Sequence, residues 1–445
     1  MSQPKIFKKI LNKFKRDNAY VLTEEHKKCL EILENTNQNL FIIGKAGTGK
    51  SMLIQYFRNQ TKKKVVVLAP TGIAALNIRG QTIHSFFGFP PRLIEPKAIR
   101  RTGKRIFADL DCLVIDEISM VRADLFDGVD RFLRLNGRDE RLPFGGIQVV
   151  IVGDLYQLPP VITYQDISTY SQLYDSPYFF SANSFELDDF NVIELKTIFR
   201  QKELHFIEFL NQVRSGDVSA DTFSLINQRV TAKQPPGSHI VLCTVNKTAE
   251  AINQRKLDKI KKPLFVYQAA IEGDFPTENR NLPVDLELKL KKGARVLFVK
   301  NDPGRRWVNG TLGKVDELAE DLIEVKINET KKIVAVDINE WDNIEYEYNQ
   351  ETGGLVEKVI GKLKQYPLRL AWAITVHKSQ GMSLDKVCVD FSRSPFAHGQ
   401  TYVALSRCRS LEGIILTKRI WRNDILIDER ITEFHKRLLR QIVHY

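Results

Sequence analysis

Cysteine is scarce in this chain. Five residues, Cys29, Cys112, Cys243, Cys388 and Cys408, are scattered through 445, and no two form a C-x-x-C pair. An odd, dispersed set argues against a disulfide framework and a zinc site, and for a reducing compartment. The chain also lacks any run of 18 apolar residues, which excludes a transmembrane helix. It has no fixed-period repeat and no low-complexity tract. Acids are the minority charge: 54 Asp and Glu stand against 66 Lys and Arg, a formal charge of +12. That imbalance makes polyanions the default partner class, with an anionic membrane surface second. The first sixteen residues, MSQPKIFKKILNKFKR, contain no acid at all. They read as a basic amphipathic helix laying Ile6, Phe7, Ile10, Leu11 and Phe14 on the first domain, or as a transit peptide poor in Arg and Ser.

Core material, by contrast, is ample. Hydrophobic residues make up 43% of a length that predicts two to four domains. Short Val/Ile/Leu runs end at polar or glycine-containing turns: LFIIG at 40–44, KVVVLAP at 64–70, CLVIDE at 112–117 and VVIVGD at 149–154. Such unbroken runs suit strands buried on both faces of a parallel sheet, and helical stretches alternate with them. The fold class is therefore α/β. A second set, HIVLCT (239–244), LRLAWAIT (368–375), KVCVDF (386–391) and GIILTK (413–418), predicts a second parallel sheet and a second lobe. From about Lys291 to Gln365, segments such as LIEVKI and KIVAVDI alternate polar and apolar residues. Period 2 with nearby turns predicts a small antiparallel barrel inserted in the second lobe.

GKAGTGKS, Gly44 to Ser51, matches G-x-x-x-x-G-K-[ST] in full, follows an expected strand and opens an expected helix. Its glycines let backbone N–H groups approach phosphate oxygens, and the helix start adds its positive end. Gly44, Ala46, Gly47, Thr48, Gly49, Lys50, Ser51 and Met52 are the nucleotide-binding candidates, with Lys50 on the β- and γ-phosphates and Ser51 on Mg²⁺. In LVIDEISM (113–120), an acid pair ends a buried strand. Asp116 is placed for the Mg²⁺ shell, and Glu117 to orient and deprotonate a water. Gln157, in GDLYQLPPV (153–161), can hydrogen-bond the γ-phosphate or that water. Arg200, in LKTIFRQ, and Arg407, in YVALSRCRS, are far from the phosphate loop in sequence. If the second lobe faces the first, both can stabilise charge on the transferring phosphate, worth roughly 10³ to 10⁵ in rate. By position alone, each is as well read as a surface arginine in a salt bridge.

These stretches make the chain resemble the Pif (petite integration frequency) family of superfamily-one DNA helicases, from about Leu22 to Thr417. Further carriers are APTGIAALN (69–77), GQTIHSFFGF (80–89), PFGGIQ leading into QLPPV (143–161), LKKGARVLFVKN (290–301), VNGTLGKV (308–315), AITVHKSQGMSLDKV (373–387) and GQTYVALSR (399–407). The RecD branch shares several of them; PFGGIQ leading into QLPPV favours Pif. The resemblance implies two RecA-like lobes with ATP and Mg²⁺ in the cleft between them. The first covers 1–193, with a small DNA-contacting insertion at about 78–107; the second covers 194–290 and 366–445. A Src-homology-like barrel covers 291–365. It also implies 5′-to-3′ translocation on single-stranded DNA, and unwinding of forks and guanine quadruplexes.

The same resemblance places Pro70, Thr71, Gly72, Gly80, Thr82, His84, Ser85, Phe86, Asn309, His377 and Ser379 on DNA. Gly72 and Gly80 permit close backbone approach, and Thr71, Thr82 and Ser85 can bond phosphates without charge. His84 and a phenylalanine can stack on bases, at roughly 1–3 kcal/mol per base. One or two of Phe86, Phe87 and Phe89 are expected in the core instead. Gln380, with Gly381, links DNA contact to the nucleotide, and Lys378 reads as a solvated charge. Two departures stand out. LTEEH puts His26 where relatives have Gln, so adenine selectivity is in question and hydrolysis is expected to weaken in mild acid. Arg79 stands where relatives often have Gly, and either meets a phosphate or points into solvent. The expected protein is a monomeric ATP-dependent DNA helicase without a membrane partner. A cytoplasmic location is expected, mitochondrial or nuclear in a eukaryote. A DNA-stimulated ATPase that remodels complexes without unwinding is the alternative.

Overall fold

The computed structural model describes residues 22–90, 92–162, 166–201, 203–231, 238–277, 282–304, 306–349 and 354–442. The basic N-terminal stretch lies outside them. Helix α1 (Glu24–Asn35) precedes β1 (Asn39–Gly44), α2 (Lys50–Gln60), β2 (Val65–Ala69), α3 (Gly72–Asn77), β3 (Gln81–Thr82) and α4 (Ile83–Phe87). Then come α5 (Ile106–Asp109), β4 (Cys112–Ile115), α6 (Ala123–Asn136), β5 (Gln148–Gly153), α7 (Ile167–Leu173) and β6 (Phe190–Leu195). The six strands form one parallel sheet in the order β3-β2-β4-β5-β1-β6. The unbroken apolar runs have a simple cause. Phe41, Ile43, Val66, Leu68, Leu113 and Ile115 point into one core. Their neighbours Leu40, Ile42, Val67, Ala69, Cys112 and Val114 point into another on the opposite face. Period-2 alternation between two covered faces demands hydrophobicity at every position.

The second parallel sheet is smaller. After α8 (Leu204–Ser215) and α9 (Ala220–Asn227), strand β7 (Ile240–Cys243) leads into α10 (Asn246–Asp258). Among the described residues, ten antiparallel strands then precede the return: β8 (Leu264–Gln268), β9 (Ala270–Gly273), β10 (Glu287–Lys291), β11 (Arg295–Phe298), β12 (Leu312–Ala319), β13 (Leu322–Ile327), β14 (Ile333–Ala335), β15 (Asn339–Asn349), β16 (Gly354–Gln365) and β17 (Leu368–Leu370). Strands β18 (Ala373–Thr375), β19 (Val387–Asp390) and β20 (Ile414–Leu416) complete the parallel sheet in the order β18-β7-β19-β20, with α11 (Gln400–Ser406) before β20 and α12 (Glu429–Gln441) at the end.

Three boundaries differ from those expected. The antiparallel region reaches from Leu264 to Leu370, because β8 pairs with β10 and β17 pairs with β11. Its strands are shared among a two-stranded, a five-stranded (β14-β13-β12-β11-β17) and a three-stranded (β15-β16-β9) sheet. The expected single strand at 368–375 is accordingly two, one in each kind of sheet. The first sheet runs on to Leu195, two residues past the expected lobe boundary. The C-terminal helix, expected with the second lobe, crosses back to the first. Phe434 stacks on Phe180 with centroids 4.2 Å apart and meets Phe179 and Phe185. Tyr178 donates to Asp428 just before that helix, at 3.0 Å.

In the insertion near 78–107, Phe87 and Phe89 are buried with Phe107 and Phe132. Phe86 packs edge-on against Phe87 and Phe107. The close approach at Gly80 is internal: a Cβ there would collide with the Val67 carbonyl, so that glycine serves packing of the first sheet. Arg79 has φ 51° and an exposed side chain. Glycine would adopt that left-handed backbone without strain.

The packing of α12 makes a prediction. Phe434→Ala removes a buried ring shared by three others and should cost about 3–5 kcal/mol. A thermal melt should show a clearly lowered midpoint; an unchanged melt would mean that the helix does not hold the first lobe.

Candidate active site

The phosphate-loop sequence wraps the end of β1. Gly47 and Gly49 have φ 86° and 85°, which only glycine adopts without strain. Lys50 Nζ donates to the carbonyls of Gly44 (2.7 Å) and Lys45 (3.0 Å), and the Thr48 hydroxyl donates to Lys45 O (2.9 Å). Burial pushes the Lys50 pKa down, against the pull of Asp154, Glu117 and Asp116. Ser51 Oγ lies 3.3 Å from Asp116 Oδ2. Asp116 Oδ1 accepts the Glu117 N–H at 2.9 Å. Glu117 itself sits at φ 52°, a conformation costing about 1–3 kcal/mol. Its Oε2 is buried without a hydrogen-bond partner. Burial, and then the neighbouring Asp116 charge, push its carboxyl up to about 7. The strain and the orphaned oxygen mark a group held ready for something outside the protein.

The other wall comes from the segment after β6 and from α11. Phe199 N–H donates to Gly47 O at 2.9 Å, and a Cβ on Gly47 would lie 2.6 Å from Arg200 Cβ. Arg200 is thus seated on the loop, and its charge acts on Lys50. Arg407 is 1% exposed. It donates to Val403 O (2.9 Å), Ser406 Oγ (3.0 Å) and Ser379 O (3.4 Å), all uncharged. Burial, and then Arg200, push its pKa down to about 9. Arg200 reaches Ser406 O at 3.5 Å, and Gln201 bonds the carbonyls of Ser406 and Cys408. The two arginines therefore share one turn, with Glu117 and Lys50 within electrostatic reach. An anion is what such a buried cationic pair lacks.

Three contributors had no role in the sequence reading. Asp154 follows β5 as Asp116 follows β4. It accepts from Arg214 (3.1 Å) and from the Tyr402 hydroxyl (3.1 Å). That hydroxyl also accepts the Ala46 N–H of the phosphate loop at 3.1 Å. Arg214 lies 4.2 Å from the Tyr156 ring centroid. Asp154 was legible as a second acid at a strand end, and Tyr402 as a neighbour of Arg407 on one helix. Arg214, on α8, carried no signal. Gln157 is buried in the turn after β5, its N–H bonded to Asp154 O.

The remaining expected residues divide. His26 lies at the loop: a Cβ on Gly49 would be 3.3 Å from His26 Nε2 and from Met52 Cε. Burial pushes His26 below its ordinary pKa, so its expected acid sensitivity moves to lower pH. Gly381 faces Asn77 at the end of α3, and Gln380 Nε2 is buried without a partner. Thr71 and Thr82 cap α3 and α4 through Oγ1, and Ser85 Oγ accepts from Gln81. Each hydroxyl keeps its proton for donation. Pro70 is half-buried and Gly72 is open, with nothing within 4 Å of a Cβ. His84 and His377 are half-buried; His84 Nε2 has no partner. Asn309 N–H bonds Asn301 Oδ1, leaving its own Oδ1 buried without a partner. Ser379 corrects an expectation. It is fully buried and its hydroxyl donates to Val376 O at 2.7 Å, so it holds its own turn and offers its carbonyl to Arg407. Lys378 is no freely solvated charge: burial lowers its pKa, and it lines a cavity of about 230 Å³ with Arg369.

Comparison with known proteins places this geometry. The family model described as PIF1-like helicase matches residues 21–223, and one described as Helicase matches 357–440. The chain is similar to the ATP-dependent DNA helicase Pif1 of Bdellovibrio bacteriovorus, 33% identical over 430 residues, 93% of this chain and 92% of that one. It is similar to the crystal structure of Bacteroides sp Pif1 in complex with ADP-AlF4 (TM-score 0.86, 37% identity, 95% of this chain and 98% of that one). It also resembles Bacteroides Pif1 bound to ssDNA (TM-score 0.67, 38% identity, 94% and 97%).

The bridging hydroxyl can be tested. Tyr402→Phe leaves two buried groups, Ala46 N–H and Asp154 Oδ2, each short of a partner, at about 1–3 kcal/mol per group. Nucleoside triphosphate turnover should fall severalfold in a variant that still folds; turnover equal to the parent would remove Tyr402 from the site.

Proposed function

The chain belongs to the PIF1-like helicase family, and from that premise we propose that it is an ATP-dependent DNA helicase moving 5′ to 3′ on single-stranded DNA. The observation that carries this reading is Arg407, buried with uncharged partners beside Arg200, with Glu117 in electrostatic reach of it and Lys50 in reach of Arg200. A triphosphate supplies the anion this arrangement lacks. The loop N–H groups and Lys50 bind its phosphates. Ser51 and Asp116, oxygen ligands 3.3 Å apart, fit Mg²⁺, which when bound supplies Lewis-acid polarisation of a phosphoryl oxygen. Glu117 takes the proton of the attacking water, Gln157 positions that water, and the two arginines stabilise the developing charge. Phe199, 42% exposed beside His26, is an added candidate for contact with the base.

Single-stranded DNA is read as crossing Pro70, Thr71, Gly72, Thr82, His84, Ser85, Phe86, Asn309 and His377, where neutral donors and rings outnumber charges. Closing and opening of the lobes around ATP then shifts the strand. Forked and quadruplex DNA are proposed substrates. The protein is proposed to act as a monomer in the cytoplasm; among the described residues no helix is long and apolar enough to cross a membrane. The two parallel sheets are proposed as RecA-like lobes. The five-stranded antiparallel sheet is proposed as the Src-homology-like barrel inserted in the second lobe.

The deciding experiment is unwinding of duplexes with a 5′ or a 3′ single-stranded tail, with and without ATP. Strand separation of the 5′-tailed duplex alone, dependent on ATP and lost in Lys50→Ala while DNA binding persists, is the expected result. ATP hydrolysis stimulated by DNA without separation of either duplex would favour a remodelling ATPase.

A further inference from the structure

Helix α11 leads to Arg407 at its far end, and its near end is fastened to the turn that carries Gln157. His398 stands two residues before that helix and is buried. Its ring is bonded on both sides. Asp428 N–H donates to Nδ1 at 3.0 Å, and Nε2 lies 3.2 Å from Leu155 O. A backbone N–H can only donate and a carbonyl can only accept, so Nδ1 is the acceptor and Nε2 carries the proton. Burial pushes the ring below its ordinary pKa, against the pull of the Leu155 carbonyl, and keeps it neutral.

Gly399, next in the chain, brings the backbones closer still. It has φ 70°, and a Cβ there would collide with the carbonyls of Tyr156 and Gln157. Tyr402, in the first turn of α11, holds Asp154 of the same 154–157 turn at 3.1 Å. The segment leading into the helix is itself fixed. Phe396 N–H donates to Gln400 Oε1 at 3.1 Å, and Gly399 N–H to Leu426 O at 3.2 Å. Helix α11 has 7 residues, so it is about 10 Å long. So short a helix carries a shift at its start through to Arg407 at its end.

We infer that His398 is a positioning residue for hydrolysis: its Nε2–H, on Leu155 O, sets where α11 is seated on the first lobe, and with it the separation of Gln157 and Arg407. His398 acts through Leu155 and α11, not on the phosphates. Its other nitrogen fastens the start of α12 through Asp428 and serves packing. This role rests on the helicase reading, in which Gln157 and Arg407 serve one transferring phosphate.

Two substitutions separate the two nitrogens. A glutamine amide N–H replaces the Nε2 donor, and an asparagine oxygen replaces the Nδ1 acceptor. The full chain carrying His398→Gln or His398→Asn is compared with the parent for DNA-stimulated ATP hydrolysis, ADP affinity, thermal midpoint and amide hydrogen exchange. His398→Asn should lower kcat about tenfold to a hundredfold, the scale of a misplacement of about 1 Å, and leave ADP affinity unchanged. Exchange should quicken in the peptide covering 154–157. His398→Gln should keep the parental kcat and parental exchange at 154–157, while exchange quickens at the start of α12. An asparagine variant with parental kcat overturns the inference. So does a glutamine variant as slow as the asparagine one, or a kcat that falls with the midpoint in both, as for a ring that only fills space. Should the asparagine variant fail to fold, the glutamine variant decides alone: parental kcat with a loosened α12 supports the inference, and a slowed kcat overturns it. A parent that hydrolyses nothing, with exchange at 154–157 quickened in the asparagine variant only, counts against the helicase reading and upholds the seat of α11.

Discussion

Arg407 is buried among carbonyls and a serine hydroxyl, with no carboxylate of the described residues bonded to it. A guanidinium in that position is expensive unless an anion arrives. The surrounding charges are arranged so that it must come from outside. Asp154 is committed to Arg214 and Tyr402, and Asp116 to Ser51 and its own strand end. Glu117 is held partly neutral, its outer oxygen unbonded. Lys50, Arg200 and Arg407 are therefore left with more positive charge than the protein neutralises. A phosphate chain would be the complement, and its transfer would change the charge that these groups feel.

That electrostatic imbalance needs a rigid frame. The two parallel sheets supply it, each presenting its strand ends to the same region. Their cores are continuous: Ile240, Leu242 and Val389 of the second sheet belong to the same cluster as Phe41 and Ile115 of the first. Tyr402 adds a direct tie, its hydroxyl joining α11 to the loop backbone and to Asp154. Helix α12 adds a second tie at the far side, through Phe434. A change at the phosphates thus has two short routes into the second lobe, one through Arg407 and one through Tyr402.

In the neutral aromatic stretch near 80–89, composition alone could not tell the core residues from the rest. Phe87 and Phe89 are core, and Gly80 is there to let β3 lie against Val67. His84 is half-buried with an unbonded ring nitrogen, and Thr82, like Thr71 upstream, caps its helix by accepting. Hydroxyls that cap a helix by accepting still have a proton to give, so local structure and ligand contact do not compete. Ser379 shows the opposite case. Its proton is used inside its own turn, and only its carbonyl is passed on, to Arg407.

By itself the sequence determined the α/β class, both parallel sheets, the phosphate loop and the acid pair. Strand burial on both faces and loop chemistry are local, and local constraints leave contiguous patterns. Only the tertiary structure decided what depends on distant partners. Arg214 and Tyr402 reach Asp154 across large separations in the chain, which no spacing records. The 368–375 run divides between two sheets because β11 and β7 claim its two ends. The return of α12 to the first lobe follows from three phenylalanines that only folding gathers around Phe434. Pattern reports what each residue must be; folding decides which other residues it meets, because contact depends on position in space rather than order along the chain.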